Sequence, residues 1–119
     1  MLERYYMEVF ELKPGMRQFT GPKSHGEAFG YYDHTSANAS FLYDHRGGHR
    51  TTSLELVGWT DPPTAGKPYP APWYRGIQSY GFRVPDLAHI AAAASEGRGQ
   101  VIRRTDQALL LRDPEGVTI

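Results

Sequence analysis

Apolar positions recur along this chain with two different periods, and the period changes mark its elements. Over residues 2–10 (LERYYMEVF), Leu2, Tyr5, Tyr6, Val9 and Phe10 return at helical spacing and predict a short amphipathic helix. No capping residue precedes Leu2, so this helix reads as the back half of a longer one. Pro14-Gly15 breaks the pattern. Residues 16–20 predict a short strand, 21–26 a polar loop, and 28–32 a return to extended chain. Ser40-Phe41-Leu42-Tyr43 predicts a further strand, closed by the turn-forming run Asp44-His45-Arg46-Gly47-Gly48. Residues 51–59 give the clearest strand of the first half. Alternation there sets Ser53, Glu55 and Val57 on one face and Leu54 and Leu56 on the other.

Five prolines then fall within residues 60–75, which excludes helix or central strand and predicts a semi-rigid linker. Beyond it, residues 77–84 predict a strand with Tyr80, Phe82 and Val84 on one face and Ser79, Gly81 and Arg83 on the other. Asp86 is placed to cap a helix over 87–95, whose inward stripe is Leu87, Ile90, Ala91 and Ala94. Gly97 stands where a left-handed C-terminal cap belongs. Two strands, 101–104 and 108–112, flank a Thr105-Asp106-Gln107 turn. Asp113-Pro114-Glu115-Gly116 is a tight turn, and Val117-Thr118-Ile119 begins a last strand. Its three residues fall short of a typical strand of about five to six. The second half thus reads β-α-β-β-β. The first reads α-β-β-β, the same unit without its opening strand, which indicates an internal repeat.

With 119 residues the chain has the length of one domain. Lys+Arg and Asp+Glu both number 13, so no charge excess points to nucleic acid. The chain has no cysteine, which removes disulfides, thiolate metal sites and a cysteine nucleophile. No apolar run approaches the roughly 20 residues that span a bilayer, and Met1-Leu2-Glu3-Arg4-Tyr5 lacks a signal-peptide pattern. The expectation is a soluble, cytoplasmic protein that binds neither membrane nor nucleic acid.

Three motifs stand in register over the last 70 or so residues: Leu54-Glu55-Leu56-Val57-Gly58-Trp59; Gly76 through Phe82-Arg83-Val84-Pro85-Asp86-Leu87; and Leu111-Arg112-Asp113-Pro114-Glu115-Gly116. In their order and spacing the chain resembles the vicinal oxygen chelate superfamily of glyoxalases, bleomycin-resistance proteins and extradiol dioxygenases. Residues 2–50 match more loosely. The resemblance implies an α+β fold: two paired βαβββ modules forming a curved mixed sheet around a cavity. Module one would span 1–59 without its opening strand, the linker 60–75, and module two 76–119. Relative to that pattern the sequence looks truncated at both ends.

Metal-dependent members hold a divalent ion (iron, manganese, nickel or zinc) on the first and last strands of each module. Imidazole and carboxylate suit such ions, and open positions accept adjacent substrate oxygens. Carried onto this sequence, the resemblance makes Glu55 the ligand of the last strand of module one. Ser79, a poor ligand, occupies the position on the opening strand of module two. The other two positions would lie before Met1 and one residue beyond Ile119. Glu55 also reads, and more readily, as a strand carboxylate facing a polar cavity. Ser53, Ser79, Arg83 and Trp59 are candidate substrate contacts, Arg83 as a bidentate donor to an anion. Arg83 also reads as a solvated strand arginine, and Trp59, with Trp73 and Tyr74, as packing around the linker. His25, His34, His45, His49 and His89 fall in loops, turns or on a helix surface without ligand spacing. No residue is singled out as catalytic. The resemblance implies a metal-dependent lyase, isomerase or dioxygenase acting on a small oxygenated substrate. The alternatives are a metal-free module that sequesters a small molecule, or an incomplete reading frame. An edge strand left without its neighbour predicts a homodimer or aggregation.

Overall fold

The computed structural model of the chain describes residues 2–24, 35–48, 50, 53–61 and 79–119. The protein is α+β, with two helices and two antiparallel sheets among those residues. It divides into two compact units, one of Met1–Leu12 with Lys67–Ile119 and the other of Lys13–Gly66. No helix among the described residues is long and apolar enough to cross a membrane.

The first unit opens with helix α1 (Leu2–Phe10). Its helical-period stripe does what the spacing predicts. Tyr5, Tyr6 and Val9 are buried, and Phe10 is half-buried. Helix α2 (Leu87–Glu96) begins at Asp86, whose extended backbone and side chain accept the amides of Ala88 at 2.8 Å and His89 at 3.0 Å. That satisfies donors a helix start otherwise leaves open. Ile90 and Ala94 are its buried residues. The sequence places a left-handed cap at Gly97, but Gly97 has φ −76° and the left-handed residue is Arg98, at φ 68°. Gly97 is instead needed for space: a Cβ there would come within 3.0 Å of the Tyr5 ring, and one at Gly99 within 2.5 Å of the Tyr5 hydroxyl. The two glycines are small so that α1 can seat Tyr5 against the end of α2.

Strands β4 (Gln100–Arg104) and β5 (Leu109–Arg112) form a hairpin, with Val101 opposite Leu111 and Arg104 opposite Leu109. Thr105 closes its turn, its hydroxyl accepting the Ala108 amide at 3.0 Å. Past β5 the chain reverses through Asp113–Gly116, where Gly116 has φ 94°, a value glycine reaches without steric cost. Ile119 and Leu111 then exchange backbone hydrogen bonds at 2.9 and 2.8 Å, and Thr118 bridges Arg112 antiparallel and Ser79 parallel. The sequence predicts a strand over residues 77–84. Residues 77 and 78 lie outside the described residues, Ser79 makes its single bridge, and 80–84 form no strand. The alternation survives without it: Tyr80, Phe82 and Val84 are half-buried, and Ser79, Gly81 and Arg83 exposed.

The second unit is a three-stranded meander of β1 (Lys13–Ser24), β2 (Thr35–Tyr43) and β3 (Leu54–Asp61), in the order β1-β2-β3. β1 is longer than the sequence predicts. The strand continues through Gly21–Ser24, expected as loop, because β2 offers partners as far as Thr35 opposite Ser24. The extended stretch expected at 28–32 and the linker at 62–75 lie outside the described residues, while Thr60 and Asp61 belong to β3. The β2–β3 turn is held by Asp44, whose carboxylate accepts the Arg46 amide and pairs with its guanidinium.

Candidate functional site

Pairing register sorts the meander into two faces. Leu42 opposite Leu54 and Ser40 opposite Leu56 make the inner face, with Leu42 fully buried and Ser40 nearly so. On the other face Phe41 stands opposite Glu55, Ala39 opposite Val57 and Ala37 opposite Trp59, and Met16 extends the Glu55 row across β1. Glu55 is exposed there, flanked by Met16 at 51% exposure and Val57 at 44%. Trp59 shares this face and is half-buried, four residues and roughly 13 Å along the strand from Glu55. A single ion cannot touch both; a small molecule lying along the strand can. Ser53 precedes β3 and is half-buried. The register matches the alternation read from the sequence for Glu55 and Val57 on one face and Leu54 and Leu56 on the other.

Ser79 and Arg83 belong to the other unit, and the structure separates their roles. Both are exposed. Arg83 lines a cleft of about 750 Å³ with Phe10, Phe82, Leu87, Arg104 and Leu111, on the side of the hairpin that faces α2. Ser79 is not among the residues of that cleft; it bridges Thr118.

The most heavily buried polar cluster in this unit was missed by sequence reasoning. The Tyr6 hydroxyl donates to Asp113 Oδ2 at 2.8 Å and also bonds the Tyr80 hydroxyl. Asp113 Oδ1 accepts the amides of Glu115 at 2.9 Å and Val117 at 2.8 Å. Asp113 is 5% exposed and Tyr6 is fully buried. Around them Tyr6 stacks on Phe10, and Phe10 on Phe82 with centroids 4.3 Å apart. Burial pushes the Tyr5 hydroxyl up to about 12, helped by the Asp113 charge and by Tyr80. Tyr6 and Tyr80 are raised as well, chiefly by burial. These phenols are held neutral, and the cluster ties α1 to the turn that follows β5. In sequence, the one signal was an aspartate opening a turn 107 residues from its partner tyrosine.

No protein-family model and no curated protein matches the chain.

Of the metal ligands the resemblance implies, the described residues supply Glu55. Among the described residues no group of three or more His, Asp or Glu could hold a metal ion, and no chemical step is derived through one. His45 is exposed in the β2–β3 turn. His89 is exposed on α2, with its Nε2 3.9 Å from Glu11.

Proposed function

We propose that this chain is a glyoxalase/bleomycin-resistance/dioxygenase-like protein that takes a small oxygenated molecule. The observation that carries the reading is the pairing order of the C-terminal unit. From Ser79 the chain runs through α2 to β4 and β5, and then back to Thr118, which lies between β5 and Ser79. A segment bridging the last one in parallel, separated from it by a helix and a hairpin, supports a βαβββ module. In chain order the first half also runs helix and then three strands, which supports a second copy lacking its opening strand, with α1 in the compact unit of Lys67–Ile119 and the meander in the other. In this reading the two modules curve around a cavity, and the face of β3 carrying Glu55 and Trp59 belongs to it. The activity is a metal-dependent lyase, isomerase or dioxygenase reaction, with Glu55 as one ligand of iron, manganese, nickel or zinc and the other donors supplied from beyond the described residues. A homodimer formed through an outer strand of the meander completes the proposal.

A metal-free binding module is the second reading, and Ser79 favours it: a hydroxyl stands where the superfamily pattern asks for a metal ligand. Thermal-shift titration separates the two. Stabilisation by Mn(II) or Ni(II), lost in Glu55→Gln, supports the metal-dependent reading. Stabilisation by an aromatic small molecule in EDTA, with no response to metal, supports the second. No response to either refutes both.

A further inference from the structure

The register of the C-terminal unit places four polar side chains in one line. Gln100 pairs with Arg112, Arg112 bridges Thr118, and Thr118 bridges Ser79. Directly paired residues project from the same face of a sheet, so an amide, a guanidinium and two hydroxyls stand side by side across four chain segments. The opposite face is the core side: Leu111 and Ile119, which neighbour Arg112 and Thr118, are 2% and 8% exposed. Gln100, Arg112 and Ser79 are exposed and Thr118 half-buried. Leu110, two residues before Arg112 on the same strand face, is 39% exposed, and Arg103 stands opposite it. The Arg112 side chain has no hydrogen-bond or ion-pair partner among the described residues. Nor have the Gln100, Thr118 and Ser79 side chains a hydrogen-bond partner among the described residues, so the row can face a ligand beside the exposed Leu110.

We propose that this row is a subsite for the carboxylate of a small molecule with an apolar body. The Arg112 guanidinium grips the carboxylate as a planar fork, the hydroxyls of Thr118 and Ser79 and the Gln100 amide donate from either side, and Leu110 takes the apolar part. The proposal names a ligand class for the small-molecule reading above and rests on it for the identity of this face as the ligand side. It also gives Ser79 a use that metal ligation does not: a hydroxyl donates to an anion well where it ligates a metal poorly.

The test is a benzoate titration of the full chain in EDTA, followed through the amide resonances of Ser79, Gln100, Arg112 and Thr118. Benzoate is expected to shift these four. Arg112→Gln, at an exposed position, should keep the dispersed spectrum of the folded protein and weaken binding by about ten-fold, the scale of losing a charge-assisted pair. Arg50→Gln, an exposed arginine of the other unit, should leave it unchanged. Benzamide, without the charge, should bind more weakly than benzoate. Shifts elsewhere, equal affinity in Arg112→Gln, or equal affinity for benzamide would each overturn the subsite. Because metal is chelated throughout, a failure of Glu55 to bind Mn(II) leaves this result standing, and the reverse also holds.

Discussion

Replacing Tyr6 with phenylalanine removes one oxygen atom and tests how much the polar cluster beneath α1 contributes to the fold. Tyr6 is fully buried and donates to Asp113 at 2.8 Å while bonding Tyr80. The ring stays, so its packing on Phe10 and Phe82 is kept. What is lost is a hydrogen bond to a carboxylate, worth about 1.5–3 kcal/mol, and a neutral one worth about 0.5–1.5 kcal/mol. Asp113 Oδ1 still accepts two amides, while Oδ2 loses its bond from Tyr6. Tyr80 is half-buried, which lets water replace part of what it loses. The expected cost is therefore about 2–3 kcal/mol, a large share of the roughly 5–15 kcal/mol that holds a domain together. In urea followed by far-ultraviolet circular dichroism, with a slope of about 1–3 kcal/mol/M, the midpoint falls by about 1–2 M. Tyr80→Phe costs less, about 1 kcal/mol, and the double variant costs less than the sum because the two share a bond. A Tyr6→Phe protein within about 0.5 kcal/mol of the parent would refute the reasoning.

Alkaline pH should act on the same cluster. The Tyr5 hydroxyl moves from 10.0 to about 12 in the fold, so between those values the unfolded chain loses a proton that the folded chain keeps. Its stabilisation is complete below pH 10 and is lost as pH rises through 12, a change on the order of 2–3 kcal/mol. Tyr6 and Tyr80 are raised too and add in the same direction. Urea midpoints should fall steadily from about pH 10 upward, and a flat profile would contradict the burial argument. Gly99→Ala places a Cβ 2.8 Å from the Tyr5 ring and 3.0 Å from the Ala94 carbonyl, so a loss of about 1–3 kcal/mol is expected by calorimetry, and no loss would mean α1 sits elsewhere. Arg98→Gly relieves a left-handed arginine and should raise stability by about 1 kcal/mol, unless the turn is not held at φ 68°.

Local chemistry made much of this fold legible. The tyrosines and Val9 of α1 return with helical period, and Asp86 caps α2 because a short carboxylate before an apolar run can accept the first free amides. Residues 77–84 show where local pattern stops. Their alternation predicts burial correctly over 79–84, but a strand also needs neighbours, and among the described residues of that stretch only Ser79 bridges one. Gly97 shows a second limit: its smallness serves the Tyr5 ring, a contact from 92 residues away that no cap pattern encodes. The candidate site divides in the same way. Glu55 and Trp59 share a face because they lie on one strand with period two. The Gln100–Arg112–Thr118–Ser79 row crosses four segments, and its register follows from pairing, which alternation within each segment does not contain.

The central functional claim is that the face of β3 carrying Glu55 is a ligand-binding face of a metal-using protein. Titration of the parent chain and of Glu55→Gln with Mn(II), read by loss of the free-ion electron paramagnetic resonance signal, tests it most directly. The account predicts saturable uptake by the parent that weakens by about ten-fold or more in the variant, as expected when a carboxylate ligand is lost. Uptake that is unchanged in Glu55→Gln, or absent from both proteins, would contradict it.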